Sequence, residues 1–331
     1  MGAEFVRALK EDRKSIFSAD TIRSLVFVIL SATLIWLYLK QKASKNLVIA
    51  GFVLLILADL IGVDRRYVNN EDFVASKVMN QPFQKTAADV EILKDKGHYR
   101  VFDLAESPFN TGRTSYFHNS IGGYHAAKPG RMQNLFDFYI AKNNLLILNM
   151  LNVKYIIVPT EEGTQAQQNP EAFGNAWFVE NIKWVSNTNE EILNLGETDL
   201  VKTAVINNRF KDQIPSTLDF DPSAQIELIE HEPNKLVYRS SAAKDQLVVF
   251  SEMYYGHGWI SSIDDKETPH ILANYALRAM MVPAGEHIIT FKFEPKVVKK
   301  GSTIALISSI ILGFLLLGGI YFTFKIKDQD V

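Results

Sequence analysis

The stretch GSTIALISSIILGFLLLGGIYFTF, residues 301–324, holds 24 uncharged residues between Lys300 and Lys325. As an α-helix it measures ~36 Å, more than the hydrocarbon core of a bilayer. Two further apolar runs lie near the other end of the chain. Ser24 to Leu39 gives 16 uncharged residues between Arg23 and Lys40, and Asn46 to Val63 is interrupted only by Asp59. Trp36, Tyr38 and Tyr321, with the flanking lysines, read as interfacial anchors. The pattern predicts transmembrane helices over 22–39, 46–63 and 301–324. The first two, taken alone, also fit a buried hairpin of core helices. Asp59 is an intramembrane acid and so a functional candidate, or else, close to Asp64, a marker of the membrane surface.

Composition narrows the rest. A chain of 331 residues has room for two folded units, or one with membrane segments. Lys+Arg at 35 against Asp+Glu at 37 leaves no global positive field, so nucleic acid is not an expected partner. The absence of cysteine excludes a disulfide scaffold, thiol catalysis and Cys-ligated zinc. Hydrophobic content of 47% excludes a disordered chain.

Residues 1–21 do not read as a cleavable signal peptide, because no small-residue cleavage site follows the first apolar run. Phe5, Leu9, Ile16 and Phe17, with Arg7, Lys10, Arg13 and Lys14, suggest a short amphipathic juxtamembrane segment or a solvated connector. Ser18 and Asp20 read as N-caps of the first span. Three spans put the termini on opposite sides, with the tail 325–331 away from the domain. Lys40, Lys42, Lys45, Lys325 and Lys327 lie on one side. The domain's side carries more basic residues, among them Arg7, Lys10, Arg65, Arg66, Lys299 and Lys300, so a naive count makes the domain cytoplasmic.

Residues 64–214 read as an α/β lobe. Thr86 with Asp89 resembles a capping box opening a helix to about Lys96. Tyr99–Leu104 and Lys154–Pro159 read as strands, with a long helix from Met132 to Leu151 between them, a βαβ-like order. Thr164–Pro170, TQAQQNP, reads as a mobile loop. Residues 215–300 switch to strands only: 224–230, 235–240, 246–254, 259–263, 278–282 and the alternating segment around Ile289, Phe291 and Phe293. The expected fold class is membrane-anchored α+β, a mixed lobe followed by a β-sandwich with jelly-roll-like character.

Catalytic signatures are absent: no phosphate loop, no HExxH, no GxSxG elbow and no dinucleotide fingerprint. Asp219-Phe220-Asp221, between Pro215 and Pro222, reads as a turn, and so does Asp264-Asp265. Neither a metal nor a cofactor is expected. Two clusters are rich in polar aromatic residues. TSYFHNSIGGYHAAKPGR, 114–131, gathers Tyr116, His118, Tyr124, His125, Lys128 and Arg131, with Gly122-Gly123 permitting a tight turn. SEMYYGHGWISSID, 251–264, offers Tyr254, Tyr255, Trp259 and Asp264, followed by Asn274 and Arg278. Aromatic faces stack on sugar rings, and His, Lys and Arg hold hydroxyl or phosphate oxygens, so both clusters are candidate glycan sites. The bland alternatives are a loop tying down the lobe and ordinary sheet core.

SYFHNSIGGYHAAKPGR, LNMLNVKYIIVP, GNAWFV, VFSEMYYGHGWISSID, NYALRAMMVPAGEH and FKFEP occur here in that order. Together they resemble the C-terminal region of the YfhO family of bacterial multi-spanning membrane proteins. SADTIRSLVFVIL and LILADLIGVDRRYVN are similar to that family's last spans before its soluble domain. The resemblance implies a GT-C-like glycosyltransferase architecture in the bacterial cytoplasmic (inner) membrane, using a polyprenyl-linked sugar to decorate envelope glycans. It also implies an extracytoplasmic domain, against the charge count. Family members carry many more N-terminal spans, so the chain reads as a C-terminal fragment or split gene product beside an upstream multi-spanning body. No catalytic residue transfers, and the chain alone is expected to be inactive. Its expected role is acceptor binding or shaping of an active site, or alternatively that of a non-catalytic structural or interaction module.

Overall fold

The structure is a computed structural model that describes residues 2–124, 127–215 and 217–327. The chain divides into two compact units, one ending at Pro82 and the other starting at Phe83.

The first unit is a helical hairpin. α1 (Gly2–Leu39) is one continuous helix, with no capped start at Ser18 or Asp20. Residues 3–39 contain neither glycine nor proline, so nothing stops the helix at Ser18 or Asp20. α2 (Lys45–Asp64) opens on Ser44, whose side chain accepts from the Leu47 N–H. The ion pair Arg23–Asp59 at 2.8 Å joins α1 to α2, and Asp20–Arg66 at 2.9 Å joins α1 to the turn just after α2. Asp20 therefore serves as a pairing residue rather than a cap. A short α3 (Ser76–Asn80) follows.

In the second unit α4 (Ala87–Ile92) carries the capping box read from sequence, with Thr86 and Asp89 bonded reciprocally. β1 (Arg100–Asp103) pairs in parallel with β2 (Val153–Thr160). Between them lie α5 (Arg113–Phe117), α6 (Gly130–Phe138) and α7 (Leu145–Met150). The single helix expected over 132–151 is broken, because Asn143 turns left-handed at φ 55° and Asn144 then caps α7 through the Ile147 N–H. β3 (Gly163–Gln168) pairs antiparallel with β2 over six residues, so most of the expected loop is a strand.

Two larger sheets follow. One contains β4 (Ala176–Val179), β5 (Asn181–Val185) and, after α8 (Thr188–Leu193), β6 (Thr203–Asn207). The next strands are β7 (Gln225–Glu232), β8 (Lys235–Ala242), β9 (Gln246–Met253), β10 (Trp259–Ile263), β11 (Lys266–Glu267), β12 (Ile271–Ala273), β13 (Leu277–Val282) and β14 (Gly285–Phe293). The six-stranded order is β4-β9-β13-β12-β6-β5 and the five-stranded order is β11-β10-β14-β8-β7. The six-stranded sheet thus draws strands from both sides of the boundary expected at 214/215. α9 (Lys296–Lys327) closes the described chain.

β9 explains how these parts pack. Leu247 and Val249 face a core shared with Leu135, Ile147 and Leu148 of the helical lobe. Val248 and Phe250 face the opposite way, onto Leu236, Tyr238, Ile289 and Phe291 of the five-stranded sheet. A strand buried on both faces reads as an unbroken apolar run, as QLVVF does here. Tyr238, Phe250 and Phe291 meet edge to face, with centroids 4.8–6.1 Å apart. By contrast, α1, α2 and α9 are long and apolar enough to cross a membrane and bury almost none of that surface within the chain.

Candidate functional site: an aromatic cavity beside the last helix

The site is built on the turn between β9 and β10. The Tyr254 N–H donates to the Ala276 carbonyl at 2.7 Å, which ends β9 and sends the chain into Tyr255-Gly256-His257-Gly258. Gly258 has φ +118°, and a Cβ there would lie 2.9 Å from the Phe293 ring and from Pro295. Only glycine fits that approach. The Glu294 N–H then donates to the Gly258 carbonyl at 2.7 Å, fastening the turn to the segment that enters α9. Trp259 lies opposite Phe293 in the β10–β14 register.

This arrangement borders a half-open cavity of about 550 Å³ whose walls include Tyr255, His257, Trp259, Glu267, Glu294 and Lys296. Tyr255 is 52% exposed. Phe293 backs the wall, 5.2 Å from Trp259 and 6.3 Å from Tyr255 between ring centroids. Aromatic faces with carboxylates at the rim suit a polyhydroxylated ring, whose C–H faces stack and whose hydroxyls donate to the acids.

Arg278 lies behind the wall. It is 2% exposed, its guanidinium carbon sits 4.0 Å from the centre of the Trp259 ring, and its Nε donates to the Met253 carbonyl at 3.0 Å. Burial lowers it to about 10 even though Glu252 acts in the opposite direction. Burial would raise Glu252, yet Arg100, a hydrogen bond from His98 and Arg278 together hold it at about 2. Arg100 Nη2 lies 3.5 Å and His98 Nε2 3.3 Å from that carboxylate. His98 also stacks on His231 at 3.6 Å. The charge behind Trp259 is thereby linked through β9 to the first lobe. His270, whose ring centre lies 5.4 Å from that of Phe291, has its Nδ1 2.7 Å from Ser261 Oγ, and Ser261 donates to the Thr268 carbonyl at 2.6 Å. With that hydroxyl proton committed, His270 donates from Nδ1, and this dyad holds a turn rather than activating a nucleophile.

The sequence-derived candidates divide accordingly. Trp259 and Tyr255 line the cavity, with Arg278 beneath, whereas Tyr254 leans on His270 at 5.6 Å. Asp264, in the left-handed Asp264-Asp265 turn, accepts from the Ile288 N–H and pairs with His287. Those two partners hold its carboxyl below the usual range. Asn274, fully buried at φ 46°, accepts from the Val205 N–H. In the first cluster His118 is buried against Asp89, which also pairs with Arg113. A Cβ on Gly122 would lie 1.9 Å from the Pro108 carbonyl oxygen, and the Gly123 N–H donates to that same oxygen. Lys128 sits over the Phe109 ring, and Arg131 pairs with Glu191. Tyr116 packs on Phe83 and Phe117 and lines a second cavity of about 410 Å³ with His118, Asn119 and Asp95. Tyr124 is 78% exposed, and His125 lies outside the described residues. Asp59 is paired with Arg23.

Sequence reasoning missed Glu252, His257, Glu267 and Glu294. Glu252 carried a signal, a carboxylate at the end of the apolar strand LVVFSEM. The two rim acids carried none, being ordinary strand-end residues until the fold brings them to the turn. Among the described residues no group of His, Asp and Glu is arranged to hold a metal ion. Comparison with protein-family models, with curated proteins and with solved structures finds no match to this chain.

Proposed function

We propose that this chain is a membrane-anchored glycan-binding module related to the C-terminal region of the YfhO family. In this reading α1, α2 and α9 cross the bacterial cytoplasmic membrane. The two larger sheets form a jelly-roll-like sandwich outside it, and the cavity at Trp259 holds an envelope glycan for transfer by a multi-spanning body. The observation that carries the reading is the position of that cavity. Its wall includes Lys296 and Val297 at the start of α9, so a bound sugar would sit at the membrane surface. The full chain in nanodiscs, titrated with neutral and N-acetylated oligosaccharides, should show saturable quenching of tryptophan fluorescence. Tyr255→Ala should weaken binding about tenfold, a loss typical of one stacking ring. Wild-type fluorescence and heat signals that stay flat to millimolar sugar would sink the proposal.

Sidedness has its own test. Gln167→Cys, exposed in an otherwise cysteine-free chain, should react with a membrane-impermeant maleimide in intact cells. Reaction only after lysis would place the domain in the cytoplasm, as the lysine and arginine count has it. A second reading, a non-catalytic structural module, draws on the internal commitments of His118, Asp264, Asn274 and Arg278 described above. It predicts that no sugar binds while the domain still folds.

A further inference from the structure

We infer that the turn joining α1 to α2 holds the phosphate of an anionic phospholipid, a site that rests on these two helices crossing a bilayer and not on the binding of a glycan. The first unit divides its charge unevenly. No Asp or Glu occurs between Asp20 and Asp59, whereas Lys40, Lys42 and Lys45 crowd the turn. Both of those carboxylates are engaged at the other end of the hairpin, Asp59 by Arg23 and Asp20 by Arg66. Asp59 lies ~21 Å along α2 from Lys45 at the helical rise, and screening removes most of the attraction between exposed charges beyond ~8 Å. The three lysines therefore lack a counter-charge within the hairpin.

The turn has a defined shape. Gln41 is left-handed at φ 54°, its N–H donates to the Tyr38 carbonyl at 2.9 Å, and the Lys42 N–H reaches back to the Leu37 carbonyl at 2.9 Å. That closure ends α1 and returns the chain at once to Ser44, which caps α2. The result is a shallow cavity of about 540 Å³ lined by Tyr38, Leu39, Gln41, Lys42, Ala43 and Ser44. Lys42 Nζ lies 5.8 Å from the centre of the Trp36 ring. Tryptophan and tyrosine settle at the level of lipid headgroups, so lysines one turn beyond Trp36 and Tyr38 meet the phosphate layer. Each ammonium is a charge-assisted donor to a phosphate oxygen, and the Gln41 amide adds another donor. Leu39 and Leu47, 73% and 60% exposed, give the acyl chains of a phospholipid apolar surface that a free phosphate would not use. A zwitterionic headgroup fits less well, because the turn has no acid to take its ammonium.

Lipid retention by the full chain tests the site. The chain, purified in mild detergent, is mixed with equal amounts of phosphatidylglycerol and phosphatidylcholine bearing identical acyl chains, and the bound lipid is identified by native mass spectrometry. Phosphatidylglycerol should be retained about tenfold over phosphatidylcholine, because each basic residue near an anionic surface contributes on the order of a fivefold preference. Lys40→Gln/Lys42→Gln/Lys45→Gln, which alters only exposed side chains, should bring the ratio close to parity. Lys299→Gln/Lys300→Gln, near the start of α9, should leave the ratio unchanged, and excess glycerol 3-phosphate should not displace the lipid. Parity in the wild-type chain, an equal fall in both variants, or displacement by glycerol 3-phosphate overturns the inference.

Discussion

Buried Arg278 and half-buried Glu252 stabilise each other's charge at a distance, while Glu252 makes its direct contacts with Arg100 and His98. Arg278 makes one hydrogen bond to a carbonyl, stacks on Trp259, and has Glu252 as its nearby counter-charge. Removing the Glu252 charge leaves Arg100 without its carboxylate partner and buried Arg278 without its nearby counter-charge, and an uncompensated buried charge is costly. Glu252→Gln should therefore destabilise the protein by ~3 kcal/mol in denaturant unfolding, more than the sub-1 kcal/mol cost of breaking the exposed Arg239–Glu227 pair. Equal losses from the two variants would show that the buried charges are not coupled. His270 carries a separate pH dependence. Burial, with Arg278 adding to it, pushes this imidazole down to about 4 from an ordinary 6.5. Between those values the unfolded chain binds more protons than the folded one, so stability is full above pH 6.5 and falls as the pH drops toward 4. The His270 share of that loss is ~3 kcal/mol. His270→Asn, which keeps a donor for Ser261, should flatten the slope between pH 6.5 and 4. An unchanged slope would assign the acid sensitivity to other groups.

At the element scale, the turn that forms the cavity is held by one glycine. Gly258→Ala would bring a methyl within 2.9 Å of Phe293 and Pro295 at a φ that L-residues avoid. It should lower stability by ~2 kcal/mol and displace Trp259, seen as a shifted tryptophan emission together with weaker sugar binding. Unaltered emission and affinity would mean that the turn does not set the cavity. Elements like this one show what was legible in the sequence. Strands with alternating or continuous apolar residues, β8, β9, β10, β13 and β14, stand within a few residues of their sequence positions, as does the Thr86/Asp89 cap. What was not legible depends on partners distant in sequence. β3 reads as a loop because its Gln-rich residues have little strand propensity, and it becomes a strand by bonding to β2. β4, β5 and β6 are short, and β5 and β6 pair in parallel, which no local pattern announces. The helix over 132–151 keeps its apolar period across Asn143-Asn144, so the period hid the break. Similarly, the aromatic clusters were visible as clusters, but composition could not separate Trp259, which lines a cavity, from His118, which is bonded to Asp89.

At the scale of the whole molecule, cover is distributed unevenly. Every residue of the three buried cores falls between Ala88 and Phe291, and α1, α2 and α9 contribute none. Stability that comes from apolar burial therefore resides in the region from Phe83 to Pro295, while the three long helices present apolar surface that only a lipid phase or other helices would cover. Cutting the chain at those two points severs no core packing and leaves both larger sheets whole. Residues 83–295, expressed without the helices, should be soluble in detergent-free buffer and unfold cooperatively. Because β9 faces the helical lobe on one side and the five-stranded sheet on the other, neither core survives loss of the other. Far-UV circular dichroism and the fluorescence of Trp177, Trp184 and Trp259 should consequently report one coincident transition. Two separated transitions would show that the lobe and the five-stranded sheet fold independently of β9. Aggregation, or a compact state without near-UV signal, would show that folding requires the helices despite their absence from the cores.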